Sequence, residues 1–487
     1  MPDHKLKIAQ IASEVSPFTK SGGLADVVAS LSKALHHLKH EVFVITPLYD
    51  QVMDKEAHHL ELIKDKIKIY LNSSDSETFS IWRGYLEKKL PVYFLENKKY
   101  FSQRKSMYGS THENARFLVF AVAVLKTISL LKIPVDIIQC HDWHTGLIPY
   151  YRKTDFRYSK TLGQAKILFT IHNLAFQLGH NWWEIKASDK DRGRGRLPHL
   201  EDQKLENVNF IKRAILSADA INTVSEQYRE EILTPKFGQD LHLILHNRAN
   251  RLYGIVNGID DEEYNPAKDP GLFFNYDQQS LAGKYKNKTE LQKFFSLPLE
   301  PDPPVIGMVT RITEQKGFGL LFNALSGLMS LNIQLVIMGG GDKEYENRIR
   351  QIVKKYPRRI SARLEFNTQD ATKIYAGSDM ILMPSRFEPC GITQLIAMRY
   401  GAIPVVRHIG GLIDTVIDFN PLTKKGNGFV FKKYTPSELL VAVARAVTIY
   451  QCRAYWQDLV RQVMEKSYSW KIPAAKYVLL YKKIRHA

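Results

Sequence analysis

Met380-Ile381-Leu382-Met383-Pro384-Ser385-Arg386-Phe387-Glu388-Pro389-Cys390-Gly391 holds the reading of this fold in one stretch. It opens on an uninterrupted apolar run, the pattern of a strand buried on both faces of a parallel sheet. It then places an Arg, a Glu and a Gly where such a strand ends and a helix begins. Open α/β sheets take their ligands at the carboxyl ends of their strands. A carboxylate there can grip sugar hydroxyls, and backbone N–H groups beyond it can receive a phosphate. Taken alone, the stretch also reads as a structural turn flanked by prolines.

Outward from this stretch, β-branched and apolar runs alternate with helix-sized segments along the chain. Lys7–Ser13, Glu41–Thr46, Asp136–Cys140, Lys166–Ile171 and Ala220–Val224 read as strands in the first half, and Val305–Val309, Gln334–Met338, Met380–Met383 and Ile403–Val406 in the second. Leu24–Leu38, Glu113–Leu131, Leu320–Leu331 and Lys343–Tyr356 read as helices between them. This alternation implies βαβ units with right-handed crossovers, so each half is expected to wind into a Rossmann-like parallel sheet. Asn265–Pro304 has no sustained period and reads as a surface excursion beyond a domain change near Gly254–Gly258.

The 487 residues suffice for about two or three domains with full cores. Hydrophobic residues make up 44% and charged residues 24%, ordinary for a globular protein. The longest apolar run, Phe117–Leu125, ends at Lys126, too short to span a membrane. Met1–Lys5 leads into a strand-like segment without the apolar core of a signal peptide. Cys140, Cys390 and Cys452 are scattered and form no CxxC pair, which argues against a disulfide framework or a zinc site. A cytoplasmic, reduced protein is expected. The 68 Lys and Arg against 50 Asp and Glu give a net charge of +18. Nucleic-acid binding is one explanation. The cations are spread from Lys5 to Arg485 without a block or an RNA-binding motif, which favours a generally basic surface that attracts an anionic small substrate. No nucleic-acid partner is expected.

Other strand ends carry chemistry too. Lys20-Ser21-Gly22-Gly23 joins the first strand to the first helix: two glycines admit a ligand to the backbone, and Lys20 adds a full charge. A plain turn is the alternative. His141-Asp142-Trp143-His144 ends another strand; its ligands are too few for a metal site. Asp142 suits acid–base or electrostatic work, or these polar groups cap the following helix. His172-Asn173 poses the same choice. Arg311 and Lys316 suit a diphosphate, one as a fork and one as a point charge, unless they are solvated loop charges. Gly339-Gly340-Gly341-Asp342 reads as a capping turn with Asp342 as N-cap. Asp189-Lys190-Asp191 matches a metal-binding DxD in form but lies in an Arg-rich run and reads as exposed loop.

KSGGL (20–24), HDWHTGL (141–147), TIHNLAFQLG (170–179), GIVNGID (254–260), RITEQKG (311–317), SRFEPCGITQ (385–394) and IGGLIDTV (409–416) follow one another over nearly the whole chain. This ordered set resembles bacterial glycogen synthases and plant starch synthases, glucosyltransferases of the GT-B fold. The resemblance implies two doubly wound Rossmann-like domains facing across a deep cleft. Residues 1–255 would form the acceptor-side domain, completed by a C-terminal helix at 467–487 that carries Tyr477. Residues 256–466 would bind the nucleotide sugar. It implies glucose transfer from ADP-glucose, with UDP-glucose the alternative donor, to glycogen or another α-1,4-glucan, with retention and with no metal or cofactor. Asp142, His172, Arg311, Lys316 and Glu388 would be catalytic. Lys20, Gly22, Gly23, Asn257, Phe366, Cys390, Gly391 and Thr393 would bind the donor. Ser21 stands where Thr is usual, Ile396 where many GT-B enzymes have a second Glu, and Phe366-Asn367 where relatives often have Tyr-His. A transferase acting on a small sugar, and a degenerate polysaccharide- or RNA-binding protein, are the competing classes.

Overall fold

The computed structural model describes residues 5–71, 75–109 and 111–486; residues 1–4, most of the stretch read above for a leader, lie outside the described residues. The chain divides into two compact units, Met1–Asn257 with Trp470–Ala487, and Gly258–Ser469.

The first unit is built on a sheet of β1 (Lys7–Ile11), β2 (Glu41–Pro47), β3 (Glu61–Tyr70), β4 (Ser76–Leu86), β5 (Leu90–Glu96), β6 (Ile137–His141), β7 (Lys166–Ile171), β8 (Ala220–Thr223) and β9 (Leu252–Gly254). The strands lie in the order β3-β4-β5-β2-β1-β6-β7-β8-β9. From β5 through β9 every pairing is parallel. Helices cover both faces, which is why the central strands read as apolar runs. Glu113–Leu130 is buried along almost its whole length against one face. Gly23–His37 packs the other face together with the C-terminal helix Lys471–Arg485, which buries Ala474, Tyr477, Val478 and Tyr481 beside Ile8 and Val44.

The second unit has β10 (Val305–Val309), β11 (Gln334–Met338), β12 (Ile360–Arg363), β13 (Met380–Met383), β14 (Ile403–Arg407) and β15 (Phe429–Phe431), ordered β12-β11-β10-β13-β14-β15 and parallel throughout. The order reverses between β10 and β13, the switch point at which doubly wound sheets bind ligands. Asp342 is the N-cap of Lys343–Lys355, its carboxylate accepting the Glu344 N–H at 2.9 Å.

Two expectations are corrected. Asn265–Pro304 is no mere excursion, since it contains the helix Ala282–Phe294. Its inward positions are Lys284, Asn287, Lys288, Leu291 and Gln292, so the apolar period is missing although the face is buried. The Lys284 ammonium donates to the carbonyls of Ala376, Ser378 and Tyr400 at 3.0–3.1 Å, and burial pulls its pKa down to about 7. Asp191 is likewise not exposed loop. Its side chain is buried against Arg213, whose Nη2 lies 2.8 Å from it, and Asp189 stays outside. Here the chain spends a charged pair on anchoring the Arg-rich segment.

Candidate active site

The decisive stretch does end a buried strand. β13 stops at Met383, and the loop beyond returns against the end of its neighbour β10. Arg386 N–H donates to the Gln315 carbonyl at 2.8 Å. Gly317 sits at φ +82°, and a Cβ there would lie 2.0 Å from the Pro384 carbonyl oxygen, so only glycine permits this approach. The crossing brings Lys316 and Glu388 together. Lys316 Nζ lies 2.6 Å from Glu388 Oε2, which also accepts the Ser385 hydroxyl at 3.0 Å. Glu388 is 5% exposed. A buried carboxylate paired to one lysine, at the carboxyl ends of two parallel strands, can hold hydroxyls while the cation meets an anion. Arg311 lies exposed in the same β10 loop. Cys390 is buried, Gly391 has φ +71°, and both carbonyls accept from the Gln394 amide at 3.2 and 2.9 Å. Thr393 opens the helix Thr393–Arg399. Phe366 stands 56% exposed after β12, and the Asn367 side chain is occupied as the N-cap of Thr368–Gly377.

In the first unit, β1 and the helix Gly23–His37 are joined by the lysine loop. Lys20 Nζ pairs with Asp26 at 2.7 Å, and the Ser21 N–H donates to Glu14 Oε2 at 2.6 Å. A Cβ on Gly22 would meet nothing within 4 Å, so packing alone does not demand a glycine there. Gly23 is the first helical residue. Asp142 follows β6 at φ +57°. Its side chain does not cap the next helix: Oδ1 reaches across to accept the N–H groups of His172 and Asn173 at 2.8 and 3.4 Å. His172 thereby joins Asp142 at the ends of β7 and β6. Its Nε2 lies 2.9 Å from His141 Nδ1.

Burial dominates the electrostatics here. It raises Asp142 to about 7, against the opposing pull of the two N–H groups, with the charge of Glu14 adding to the rise. Burial also raises Glu14 to about 7, opposed by its bonds to Ser21. It lowers His172 to about 3 and pushes His141 and His144 well down, so these rings are neutral at pH 7. His144 is packed among Tyr108, Phe117 and Trp143. Among the described residues, no group of three or more His, Cys, Asp or Glu could hold a metal ion. Asn257, beyond β9, is buried with an Oδ1 that finds no hydrogen-bond partner among the described residues.

Residues 7–247 match the family model described as "Starch synthase catalytic domain", and 290–462 match "Glycosyl transferases group 1". The glycogen synthase of Thermosipho melanesiensis is 40% identical over 98% of this chain and 99% of its own length. That of Geotalea daltonii is 41% identical over 98% of each. This chain belongs to the glycogen and starch synthase family. The catalytic domain of starch synthase IV from Arabidopsis thaliana, solved with ADP and acarbose, superposes at a TM-score of 0.88 with 32% identity over 99% of this chain and all of the other. A sucrose-phosphate synthase from Thermosynechococcus elongatus, at TM-score 0.61 and 16% identity, shares the fold.

This glycogen synthase family member is therefore a glycosyltransferase with the paired Rossmann-like domains of the GT-B fold. Sequence reasoning passed over two of its groups. Glu14 forms the buried acid beside Lys20; its signal was one carboxylate in the otherwise small and apolar Ile11-Ala12-Ser13-Glu14-Val15. Gln10 sits inside β1 and bonds His141 at 2.7 Å. A glutamine in the middle of a buried strand was the sign that marked it.

Proposed function

We propose that this chain transfers glucose from ADP-glucose to the non-reducing end of an α-1,4-glucan such as glycogen, with retention at the anomeric carbon. In this reading the reaction is cytoplasmic and uses no metal. The observation that carries this reading is the Lys316–Glu388 pair at the β10 and β13 ends, in a chain whose curated relatives are named glycogen synthases. The second unit is the donor side. Glu388 takes the hydroxyls of the donor glucose, and Arg311 and Lys316 take the diphosphate, with Phe366, Cys390, Gly391 and Thr393 in supporting contact; Asn257, at the end of the first unit, also binds the donor. The first unit is the acceptor side, with Lys20, Gly22 and Gly23 facing phosphate and with Asp142 and His172 facing the sugar.

Breaking the bond between the anomeric carbon and the diphosphate oxygen puts positive charge on carbon and negative charge on oxygen. Fixed cations stabilise the second charge without reorganising. Attack comes from the same face: the acceptor oxygen bonds the anomeric carbon as the leaving oxygen departs, and the acceptor proton passes to the leaving phosphate. Asp142 serves as a positioning acid, because one of its oxygens is already committed to two N–H groups. Glycogen-dependent ADP release tests the reading. Glu388→Ala and Lys316→Ala should each lower kcat by about 10²–10³; a wild-type rate in Glu388→Ala removes the site assignment. A glucosyl ester trapped on Asp142 would replace same-face attack with double displacement. The kcat/KM ratio for ADP-glucose over UDP-glucose decides the donor, and a preference for UDP-glucose refutes it.

A further inference from the structure

A file of buried polar side chains crosses the first unit beneath His172. Gln10, Gln139, Thr170 and Asn222 lie on the adjacent strands β1, β6, β7 and β8, and Tyr477 and Tyr481 face them from the C-terminal helix; none of the six has any exposed surface. Gln10 is in register with Gln139, and Thr170 with Asn222. Unpaired polar groups this deep are costly, and here they satisfy one another.

The bonds form one continuous line. Asn222 Nδ2 meets the Tyr477 hydroxyl at 2.9 Å, and Asn222 Oδ1 meets the Thr170 hydroxyl at 2.7 Å. Thr170 Oγ1 meets Gln139 Nε2 at 2.7 Å. Gln139 Oε1 takes Gln10 Nε2 at 3.2 Å and the Tyr481 hydroxyl. Gln10 Oε1 meets His141 Nε2 at 2.7 Å, and His141 Nδ1 meets His172 Nε2 at 2.9 Å.

Every amide in such a line could be turned over together, which would reverse each donor and acceptor. One contact chooses the direction. The Asn222 nitrogen faces the Thr223 carbonyl at 3.5 Å, longer than an ordinary hydrogen bond, but the turned-over amide would set its oxygen against that carbonyl oxygen, and neither could donate. Asn222 Oδ1 must then accept from Thr170. Thr170, having donated its one proton, must accept from Gln139. Gln139 then turns its oxygen to Gln10, and Gln10 turns its oxygen to His141. A neutral His141 that donates through Nε2 has a lone pair on Nδ1, so His172 must donate through Nε2.

We propose that this line of side chains, running from Asn222 through Thr170, Gln139, Gln10 and His141, locks His172 in its Nε2–H tautomer and so presents its Nδ1 as a hydrogen-bond acceptor for a substrate hydroxyl. Gln10, Gln139, Thr170 and Asn222 are positioning residues, acting through His141. The consequence rests on the reading of His172 as a substrate-facing group. In the other tautomer an N–H would face the hydroxyl, which would then have to accept there and turn its own proton to another partner.

Nitrogen NMR of the full chain labelled with ¹⁵N-histidine reads the tautomer directly, with His172 identified by its disappearance in His172→Gln. His172 should stay a single Nε2–H tautomer across roughly pH 6 to 8, where an ordinary histidine titrates; an Nδ1–H signal in the wild-type protein overturns the lock without recourse to any variant. Thr170→Val keeps the shape of the strand residue and interrupts the line. It should give a mixture of tautomers at His172 and lower kcat/KM a few-fold, because in part of the molecules the substrate hydroxyl must turn its proton away from the ring. A folded Thr170→Val protein with one Nε2–H tautomer and wild-type kcat/KM also overturns it. Failure of the wild-type protein to release ADP with glycogen would instead strike the proposed reaction and leave the tautomer measurement standing.

Discussion

Glu14 shows how much of this site is set by burial rather than by charge partners. Its carboxyl titrates near 7 in the folded chain against an ordinary 4.5, because desolvation outweighs the Ser21 bonds. Between those values the unfolded chain releases the proton and the folded chain keeps it. The unfolded state then binds fewer protons, so this group's contribution to stability falls as pH rises, by about 1.4 kcal/mol per pH unit. Glu14→Gln has no proton to lose. Urea unfolding of both proteins at about pH 5 and pH 8 should show the variant gaining on the wild type at the higher pH; an unchanged difference would mean that Glu14 is solvated. The same variant removes a negative charge that raises Asp142, so Asp142 should ionise at lower pH, and a step in the rate profile that follows its ionisation should move down with it. The sequence displayed Asp142, His172, Lys316 and Glu388 because each follows an apolar run. Glu14 and Gln10 escaped because their roles depend on burial and on strands paired far apart in sequence, which no local spacing carries.

Elements were legible where their periodicity was clean. β7, β10, β11 and β13 have the bounds their apolar runs set. β3 was missed because Glu-Leu-Ile-Lys-Asp-Lys-Ile-Lys-Ile-Tyr is an edge strand exposed along most of its length, and lysines are what edges carry to discourage further pairing. Ala282–Phe294 was missed for the opposite reason, with lysines buried where leucines would signal a helix. The β10 loop was legible only as a pair of cations; that it crosses β13 depends on Gly317. Gly317→Ala forces a Cβ onto the Pro384 carbonyl at a positive φ, so the loop must move and carry Lys316 from Glu388. Destabilisation of about 1–3 kcal/mol is expected, with a fall in kcat of at least about tenfold, the equivalent of one lost charge-assisted bond. Full kcat with a lowered Tm would show that the crossing serves stability alone.

At the scale of the whole molecule, the net charge of +18 has no single address, since its cations are scattered and many are already paired with carboxylates. A charge distributed in this way does little for the affinity of a neutral glucan, which offers hydroxyls and no phosphate. It does act on the proposed donor, an anion, by raising its concentration near the protein. The two substrates of one reaction should therefore respond differently to salt. At about 0.01 M ionic strength the Debye length is near 30 Å and the whole distribution is felt; at about 1 M it is near 3 Å and only direct partners are. KM for ADP-glucose should rise several-fold between those limits while KM for glycogen changes little, with kcat nearly constant because Lys316 and Glu388 touch at 2.6 Å and are poorly screened. Measuring both constants in a neutral buffer over that salt range separates long-range attraction from contact. If KM for glycogen rises in step with that for the donor, the charge serves an anionic partner on the acceptor side and the assignment of the basic surface to the donor is wrong.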